Sequence, residues 1–362
     1  TSRPMRHPLL LLVLTAAFAA ACSSEAPGAL DLPPEQTDAG TGDTGETGET
    51  GDDAGTGGEA PDAGAVETGD AGGDAPDAGV EPEPVIRFVA IGDTGTAGTD
   101  QHRVAAAMLK KCAASGCDFA VMLGDNFYET GVSGADDPQW KSKFEEPYAA
   151  LDFPFYAVLG NHDYGGGGAG NEFGKGKHQV AYAAKSTKWK MPSEYYRFRQ
   201  KHAEFFAMDT NMQMYGLDSK QETDMLQWLK DSTADWKIML GHHPYLSNGK
   251  HGNAGEYDGA KLVPIANGAG VKSFAEKIWC GRADLYLCGH DHSRQYLGAT
   301  CKGTELAVSG AGAKVTTLPG KNPSHFQAAT LGFMWIEIKG RSLTAEFVDV
   351  NGNVEYTRTV RK

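Results

Sequence analysis

Five apolar runs in this chain end in the same way, with a glycine followed by a polar residue. The runs are Val85–Ile91, Phe119–Leu123, Phe155–Leu159, Ile238–Leu240 and Leu285–Cys288. Short, continuously apolar runs are typical of strands that are buried on both faces of a parallel sheet. Glycine lets the backbone turn sharply after such a strand and lets the next residue approach a ligand closely. The pattern therefore predicts that five polar loops meet where these strands end.

The remaining pattern predicts helices between the strands and hairpins towards the end of the chain. Apolar residues at helical spacing lie in Gln101–Ser115, Gln139–Leu151 and Thr223–Ser232. Alternating segments that predict later strands in hairpin order are Glu305–Val308, Phe333–Ile338, Leu343–Val348 and Val354–Val360. Parallel units followed by hairpins predict an α/β fold of two packed sheets flanked by helices, in one catalytic domain over residues 85–362.

Composition separates this domain from an acidic segment at residues 23–84. That segment holds 17 acidic residues and no lysine or arginine, whereas residues 85–362 hold 31 basic and 30 acidic residues. The formal net charge of -14 therefore belongs to the segment. Its Asp-Ala-Gly repeats contain almost no aromatic or branched aliphatic residues, which predicts a disordered linker. The nearly neutral domain lacks the basic stripe of a nucleic-acid binder, so we expect no nucleic-acid partner.

Residues 1–22 have the pattern of an export signal. Arg3 and Arg6 precede an apolar run, Leu9–Ala21, that is too short to span a bilayer comfortably. The sequence Ala19-Ala20-Ala21-Cys22 resembles a bacterial lipobox, which implies a lipid anchor on Cys22. We therefore expect an exported lipoprotein of the cell envelope or outer membrane, facing the periplasm or the exterior. An ordinary signal peptide with an incidental cysteine is the alternative.

The other cysteines fit an oxidising compartment. Cys112 could pair with Cys117, and Cys280 could pair with Cys301, in two disulfides. Cys288 lies within an apolar run, which favours a buried free thiol.

Metal-binding side chains follow the five glycines, and together they predict a two-metal hydrolase. Two cations about 4 Å apart need a bridging carboxylate and several further ligands. One site can be assembled from Asp93, Asp125, Tyr128 and His292, and the other from Asp125, Asn161, His242 and His290. Asp125 is the predicted bridge. A phenolate ligand favours a strongly acidic ion such as Fe(III).

These motifs, in this order, resemble the metallophosphoesterases, and within them the small tartrate-resistant type of purple acid phosphatase. The likeness covers roughly residues 85–360 and includes Gly124–Val132, Tyr195-Tyr196-Arg197 and Ser309–Gly312; Met239 departs from it, standing where the family has valine. The resemblance implies a four-layer α/β/β/α sandwich and the ligand assignment given above. It also implies Fe(III) paired with Fe(II), Zn(II) or Mn(II), and hydrolysis of small phosphomonoesters at acidic pH.

The corresponding mechanism assigns three further residues. A hydroxide held by the ions would attack phosphorus in line with the leaving oxygen. His162 is expected to protonate the leaving alkoxide, and Asp163 to orient His162. The resemblance implies that His251 contacts the phosphate. The four-glycine run Gly165–Gly168 is expected to be a surface loop, with a mobile rim of the site as the alternative.

Two other functions remain open from the sequence. One is a phosphodiesterase or nucleotidase of the same superfamily that uses Mn or Mg, although Tyr128 argues against it because the wider superfamily lacks that ligand. The other is a non-catalytic surface binding lipoprotein, against which the complete ligand set argues. The lack of a Gly-x-Ser-x-Gly motif after a strand argues against a serine hydrolase. No oligomeric state is predicted.

Overall fold

The computed structural model describes residues 83–260, 262–263 and 265–362. The predicted export signal, the lipid anchor at Cys22 and residues 23–82 of the acidic linker lie outside these residues. Within the described part of the chain, every helix is too short or too polar to cross a membrane.

Fourteen strands in the described residues form two mixed sheets of seven strands each. In chain order the strands are β1 (Val85–Ile91), β2 (Phe119–Leu123), β3 (Phe155–Val158), β4 (Trp189–Lys190), β5 (Tyr196–Gln200), β6 (Ala203–Ala207), β7 (Trp236–Leu240), β8 (Leu285–Cys288), β9 (Arg294–Leu297), β10 (Glu305–Ser309), β11 (Ser324–Ala328), β12 (Gly332–Lys339), β13 (Ser342–Asp349) and β14 (Val354–Arg361). The first sheet has the order β14-β13-β12-β1-β2-β3-β4, and the second has the order β11-β9-β10-β8-β7-β6-β5. The strands β1 to β4 run parallel, as do β6, β7, β8 and β10.

Helices cover the outer faces of both sheets. They are α1 (Thr99–Ser115), α2 (Gly176–Tyr182), α3 (Thr210–Met214), α4 (Ser219–Asp231) and α5 (Ala269–Ile278). Helix α1 packs against β12 of the first sheet. Met225 of α4 and Phe274 of α5 share one apolar cluster with Met239 and Tyr286 of the second sheet. Helix α4 begins after Asp218, whose carboxylate caps it by accepting a hydrogen bond from the backbone N–H of Gln221.

The main core lies between the two sheets. The ring of Phe205 on β6 meets the rings of Phe88 and Phe119 edge-on, with centroids 5.3 Å away in each case. The next residue, Phe206, faces the helices on the other side of its sheet. Because both faces of such strands are covered, their sequences are mostly apolar rather than alternating. The predicted α/β fold, with two packed sheets between helices, is confirmed.

Most predicted elements are present with small shifts of boundary. The five apolar strands are confirmed, although β3 ends one residue earlier than predicted and β7 begins two residues earlier. The helix predicted over Gln139–Leu151 is wrong as a regular α-helix, because a wide π-type turn occupies Lys141–Glu145 and irregular turns follow it. Both expected disulfides, Cys112–Cys117 and Cys280–Cys301, are formed, and Cys288 is a buried free thiol.

Candidate metal centre

The five predicted loops meet where β1, β2, β3, β7 and β8 end. Within the first sheet, the N–H of Asp93 donates to the carbonyl of Gly124 at 2.9 Å. Within the second sheet, the N–H of Gly289 donates to the carbonyl of His242 at 3.1 Å. The N–H of Gly92 donates to Ser309 at 2.8 Å and so joins the two sheets beside the site. The loops that carry the polar side chains are therefore held together by their backbones.

Three polar residues of the site adopt left-handed backbone conformations. The φ angles are 60° for Asp93, 51° for Asp125 and 68° for His290. A non-glycine residue in this region costs about 1–3 kcal/mol, and such residues concentrate at functional sites. The neighbouring Gly124 has a φ of 87°, and a Cβ there would lie 2.5 Å from Nδ1 of His242. The turn after β2 therefore requires glycine.

Asp93, Asp125, Tyr128 and His292 form the first group of donors. The ligand atoms of Asp93, Asp125 and His292 all lie within 4.8 Å of one another. The Tyr128 hydroxyl lies 3.1 Å from Oδ1 of Asp93 and 2.9 Å from Nε2 of His292. Burial lowers the pKa of His292 to about 3, so its ring is neutral and offers a lone pair. This group can hold a cation through carboxylate, phenolate and imidazole.

Asn161, His242 and His290 form the second group, next to Asp125. Oδ1 of Asn161 lies 2.9 Å from Nε2 of His242 and 3.1 Å from Nδ1 of His290. Nε2 of His242 also lies 3.4 Å from Oδ1 of Asp125, so Asp125 lies between the two groups of donors. The amide of Asn161 is oriented by its Nδ2, which donates to the carbonyl of Gly168 at 2.7 Å.

The hydrogen bonds in the second group show that a cation fits there. Nδ1 of His242 lies 2.8 Å from the carbonyl of Leu123, and a carbonyl can only accept, so Nδ1 carries the hydrogen. In the neutral ring, Nε2 then carries a lone pair, and this lone pair is directed at the oxygens of Asn161 and Asp125. Lone pairs that face each other in a buried site need a positive charge between them. The donor set therefore fits a metal ion.

The pKa shifts of the buried groups also indicate that the site needs positive charge. Burial, together with the nearby charge of Asp125, raises the pKa of Asp93 to about 8, although the charge of His242 opposes the shift. Burial also opposes ionisation of Asp125, but the charges of His242 and His162 outweigh it and hold this pKa well below its usual range. Although burial opposes protonation of His242, the carboxylate of Asp125 raises its pKa to about 9. With no cation present, the site thus retains protons.

Two of the predicted catalytic residues lie beside the first group. His162 is buried, its N–H donates to Oδ1 of Asp125 at 2.9 Å, and its Nδ1 lies 2.7 Å from the carbonyl of Glu129. That carbonyl fixes the tautomer that carries hydrogen on Nδ1. The carboxylate of Asp163 accepts from the backbone N–H groups of Gly160, Asn126 and Phe127 at 2.8, 3.1 and 3.0 Å. Asp163 therefore fastens two ligand loops together, and its orienting role towards His162 stays a prediction.

His251 lies on the other side of the second group. Its ring centroid is 4.2 Å from that of His290, and both rings line a cavity with Asn161. Asp291 holds the loop of His251 by accepting its N–H at 2.8 Å, a role that the motif did not reveal. Gly168 is buried and also lines this cavity, so the expectation that the glycine run is only a surface loop is wrong. The structure thus brings all ten predicted site residues together.

The comparisons with known proteins decide the family. Residues 86–294, more than half of the chain, match the calcineurin-like phosphoesterase family. The chain belongs to this family. It is therefore a phosphoesterase that acts at a metal centre, and its relatives include acid phosphatases.

Curated relatives resemble this calcineurin-like phosphoesterase over three quarters of its length. Tartrate-resistant acid phosphatase type 5 of Mus musculus is 31% identical over 314 residues, which cover 75% of this chain and 89% of that protein. Purple acid phosphatase 4 of Arabidopsis thaliana is 29% identical over 306 residues, which cover 75% of this chain and 82% of that protein. The family uses a binuclear metal centre, and the two groups of donors meet at Asp125. The seven individual ligand assignments stay predictions.

Two solved structures share the fold. GAP50, the anchor in the inner membrane complex of Plasmodium, has a TM-score of 0.60 and 24% identity, with 76% of this chain and 89% of that chain covered. Purple acid phosphatase PPD1 from yellow lupin seeds has a TM-score of 0.58 and 16% identity, with 77% of this chain and 54% of that chain covered. At these identities the likeness concerns the fold alone.

Removing the metal ions should destabilise the protein strongly. Chelation would leave the buried carboxylates of Asp93 and Asp125 facing each other without a cation. A ligand present at about 1,000 times its dissociation constant contributes about 4 kcal/mol, so we expect the melting temperature to fall on the order of 10 °C. Differential scanning calorimetry with and without chelator measures this, and adding metal back should restore the original value. An unchanged melting temperature after complete removal of metal would contradict the site.

Proposed function

We propose that this calcineurin-like phosphoesterase is an exported acid phosphatase that hydrolyses small phosphomonoesters. The observation that carries the proposal is the convergence of Tyr128 with Asp93 and His292 beside the second group of donors. A tyrosine in this position is the feature by which the sequence resembles purple acid phosphatases rather than the wider superfamily. The acid phosphatases among the curated relatives support the same substrate class.

We assign the two groups of donors to two ions, Fe(III) in the first group and Fe(II), Zn(II) or Mn(II) in the second. Phenolate and carboxylate oxygens suit a strongly acidic ion, while two imidazoles and an amide oxygen suit a divalent one. Such ions neutralise phosphoryl oxygens and lower the pKa of a coordinated water molecule. Asp125 lies between the groups and would be shared by both ions.

The protein's own residues supply proton transfer and orientation. His162 would donate a proton from Nε2 to the leaving oxygen, because its Nδ1 is already bound to the carbonyl of Glu129. His251 lines the cavity beside His290 and would contact the phosphate there. Its own Nδ1 lies 2.9 Å from Oδ1 of Asp258, and because a carboxylate accepts, Nδ1 carries the hydrogen and the ring is held in place. Asp163 would contribute indirectly, by holding together the ligand loops whose backbone N–H groups its carboxylate accepts from.

Export to the cell envelope, with a lipid anchor at Cys22, is part of the proposal. Its support is the signal-like pattern of residues 1–22 together with two disulfides in the folded domain, since disulfides persist in oxidising compartments. Mass spectrometry of the protein purified from membranes tests this. A mature protein that is free in the periplasm, with an unmodified Cys22 or without it, would refute the anchor.

Metal analysis combined with a substrate panel tests the activity. Protein loaded with iron and a second metal should hydrolyse p-nitrophenyl phosphate and an alkyl monoester faster than bis-p-nitrophenyl phosphate, with an optimum at acidic pH. A preference for the diester, with Mn or Mg bound, would replace the proposal with the phosphodiesterase alternative. No turnover of any ester by a fully loaded protein would favour a binding protein instead.

Replacing Tyr128 by phenylalanine should remove the colour of the iron form. A visible band arises when a phenolate oxygen transfers charge to Fe(III), and phenylalanine has no such oxygen. Absorption spectra of the wild type and Tyr128→Phe, each with measured iron content, test this. Tyr356→Phe on the edge strand β14 is the matched control and should keep the band. A band that survives in iron-loaded Tyr128→Phe would show that this tyrosine is not the ligand.

A further inference from the structure

A charged pair outside the predicted ligand set lies against the ring of Tyr128. The ammonium of Lys314 sits 3.6 Å from the centroid of this ring. It also forms an ion pair with Oε1 of Glu129, the residue after Tyr128, at 3.0 Å. The backbone N–H of Thr316 donates to the carbonyl of His292 at 2.9 Å, so the loop that carries Lys314 is fastened to the loop of a second predicted ligand.

The position of Lys314 is electrostatically unusual. A lysine at the surface normally extends into water, but the Lys314 side chain is only 30% exposed and lies over an aromatic face. A cation over an aromatic ring is attracted by the electrons of that ring, and it stabilises them more strongly when the ring carries a negative charge. Glu129 partly neutralises this cation, and its side chain is 62% exposed. The positive charge of Lys314 and the negative charge of Glu129 thus have opposite electrostatic effects on the ring of Tyr128.

We propose that Lys314 and Glu129 together set how strongly Tyr128 donates electrons to the ion that it binds. Lys314 withdraws electron density from the phenolate, and Glu129 limits that effect by pairing with Lys314. Groups around a metal site that do not bind the metal tune it in this way. The inference rests on the proposed function, because it requires Tyr128 to bind Fe(III).

The same pair also touches the predicted proton donor. Oε2 of Glu129 lies 3.5 Å from Nδ1 of His162, and the ring of His162 lies 4.5 Å from that of Tyr128. A change at Glu129 therefore alters the surroundings of both residues. For this reason the test uses the absorption spectrum, which reports on the phenolate and the ion that it binds, rather than turnover, which also depends on His162.

The test measures the visible absorption maximum of iron-loaded protein variants. Lys314→Met keeps most of the apolar stem but removes the charge, so the phenolate gives up an electron more easily. We expect the band to move to longer wavelength by on the order of 10 nm, because a unit charge about 4 Å away changes the energy of a visible transition by a few per cent. Glu129→Gln leaves Lys314 without its counter-charge and should move the band to shorter wavelength. Lys314→Arg should stay near the wild-type maximum.

The opposite signs separate electronic tuning from structural damage. Lys185→Met is the matched control, because Lys185 forms an ion pair with Asp136 on the surface, and its band should not move. The inference is overturned if Lys314→Met with full iron content keeps the wild-type maximum, or if Lys314→Met and Glu129→Gln shift in the same direction. If Lys314→Met does not fold, the shift of Glu129→Gln decides, and no shift or a shift to longer wavelength overturns the inference. A wild-type protein that binds iron without any visible band would refute the iron assignment itself.

Discussion

Asp125→Asn should lose both metal ions and nearly all phosphoesterase activity. The asparagine keeps the shape of the side chain and can still accept the hydrogen bond from the N–H of His162, which is 2.9 Å long in the wild type. It removes the one negative charge that lies between the two groups of donors. Changing a residue that only supports a metal ligand costs about 10–100-fold, so losing a shared ligand should lower activity by more than about 100-fold. Metal content by mass spectrometry and turnover of p-nitrophenyl phosphate measure the two losses.

The control for this experiment is a carboxylate in the same region of the chain. Asp136→Asn makes the same chemical change at a side chain that is 92% exposed and paired with Lys185. Exposed ion pairs contribute little, so this variant should keep its metal, its melting temperature and its activity. Two ions per chain and wild-type turnover in Asp125→Asn would mean that the bridging position is wrongly assigned.

The sequence predicted the centre of this site because the strands and the chemistry use the same positions. The apolar runs are largely buried on both faces, so their patterns are nearly continuous, and each ends at the glycine that the turn requires. Asp93, Asp125 and His290 then follow those glycines directly. Their left-handed backbones were not predicted, since asparagine, aspartate and histidine enter this region only a few times more often than other residues.

Elements without a strong periodic signal were missed. Strand β11 has the sequence Ser-His-Phe-Gln-Ala and lies exposed at the edge of its sheet, so no apolar alternation marks it. Helix α3 has five residues and depends on Asp209, whose carboxylate accepts from the N–H of Met212 at its first turn. Helix α5 could have been found, because Val271, Phe274 and Ile278 are spaced for one apolar face.

The supporting contacts of the site could not be predicted from local pattern. Asp163 binds the loop of Asn126, and Asp291 binds the loop of His251, across separations of 37 and 40 residues. The pair of Lys314 and Glu129 joins residues 185 positions apart. Such contacts depend on how the two sheets are packed, whereas a sequence motif contains only the residues that directly follow a strand. Sequence motifs therefore reveal metal ligands more readily than the residues that surround and support them.

His162→Ala should separate proton donation from metal binding. The ring of His162 binds the carbonyl of Glu129 and meets the ring of Tyr128 edge-on, while its backbone N–H donates to Asp125. Alanine keeps this N–H, so we expect two ions per chain and an unchanged visible band. A general acid contributes about 10²–10⁴-fold, and kcat for an alkyl monoester should fall by that amount.

The choice of substrate makes this prediction specific to a proton donor. The p-nitrophenolate group leaves readily without a proton, so kcat for p-nitrophenyl phosphate should fall much less in His162→Ala than kcat for the alkyl ester. The alkaline limb of the pH profile should also disappear, because it reports the loss of the donated proton. His102→Ala, which removes an exposed histidine from α1, should change neither substrate. Equal losses for both esters would argue against proton donation, and a loss of metal would mean that His162 belongs among the ligands.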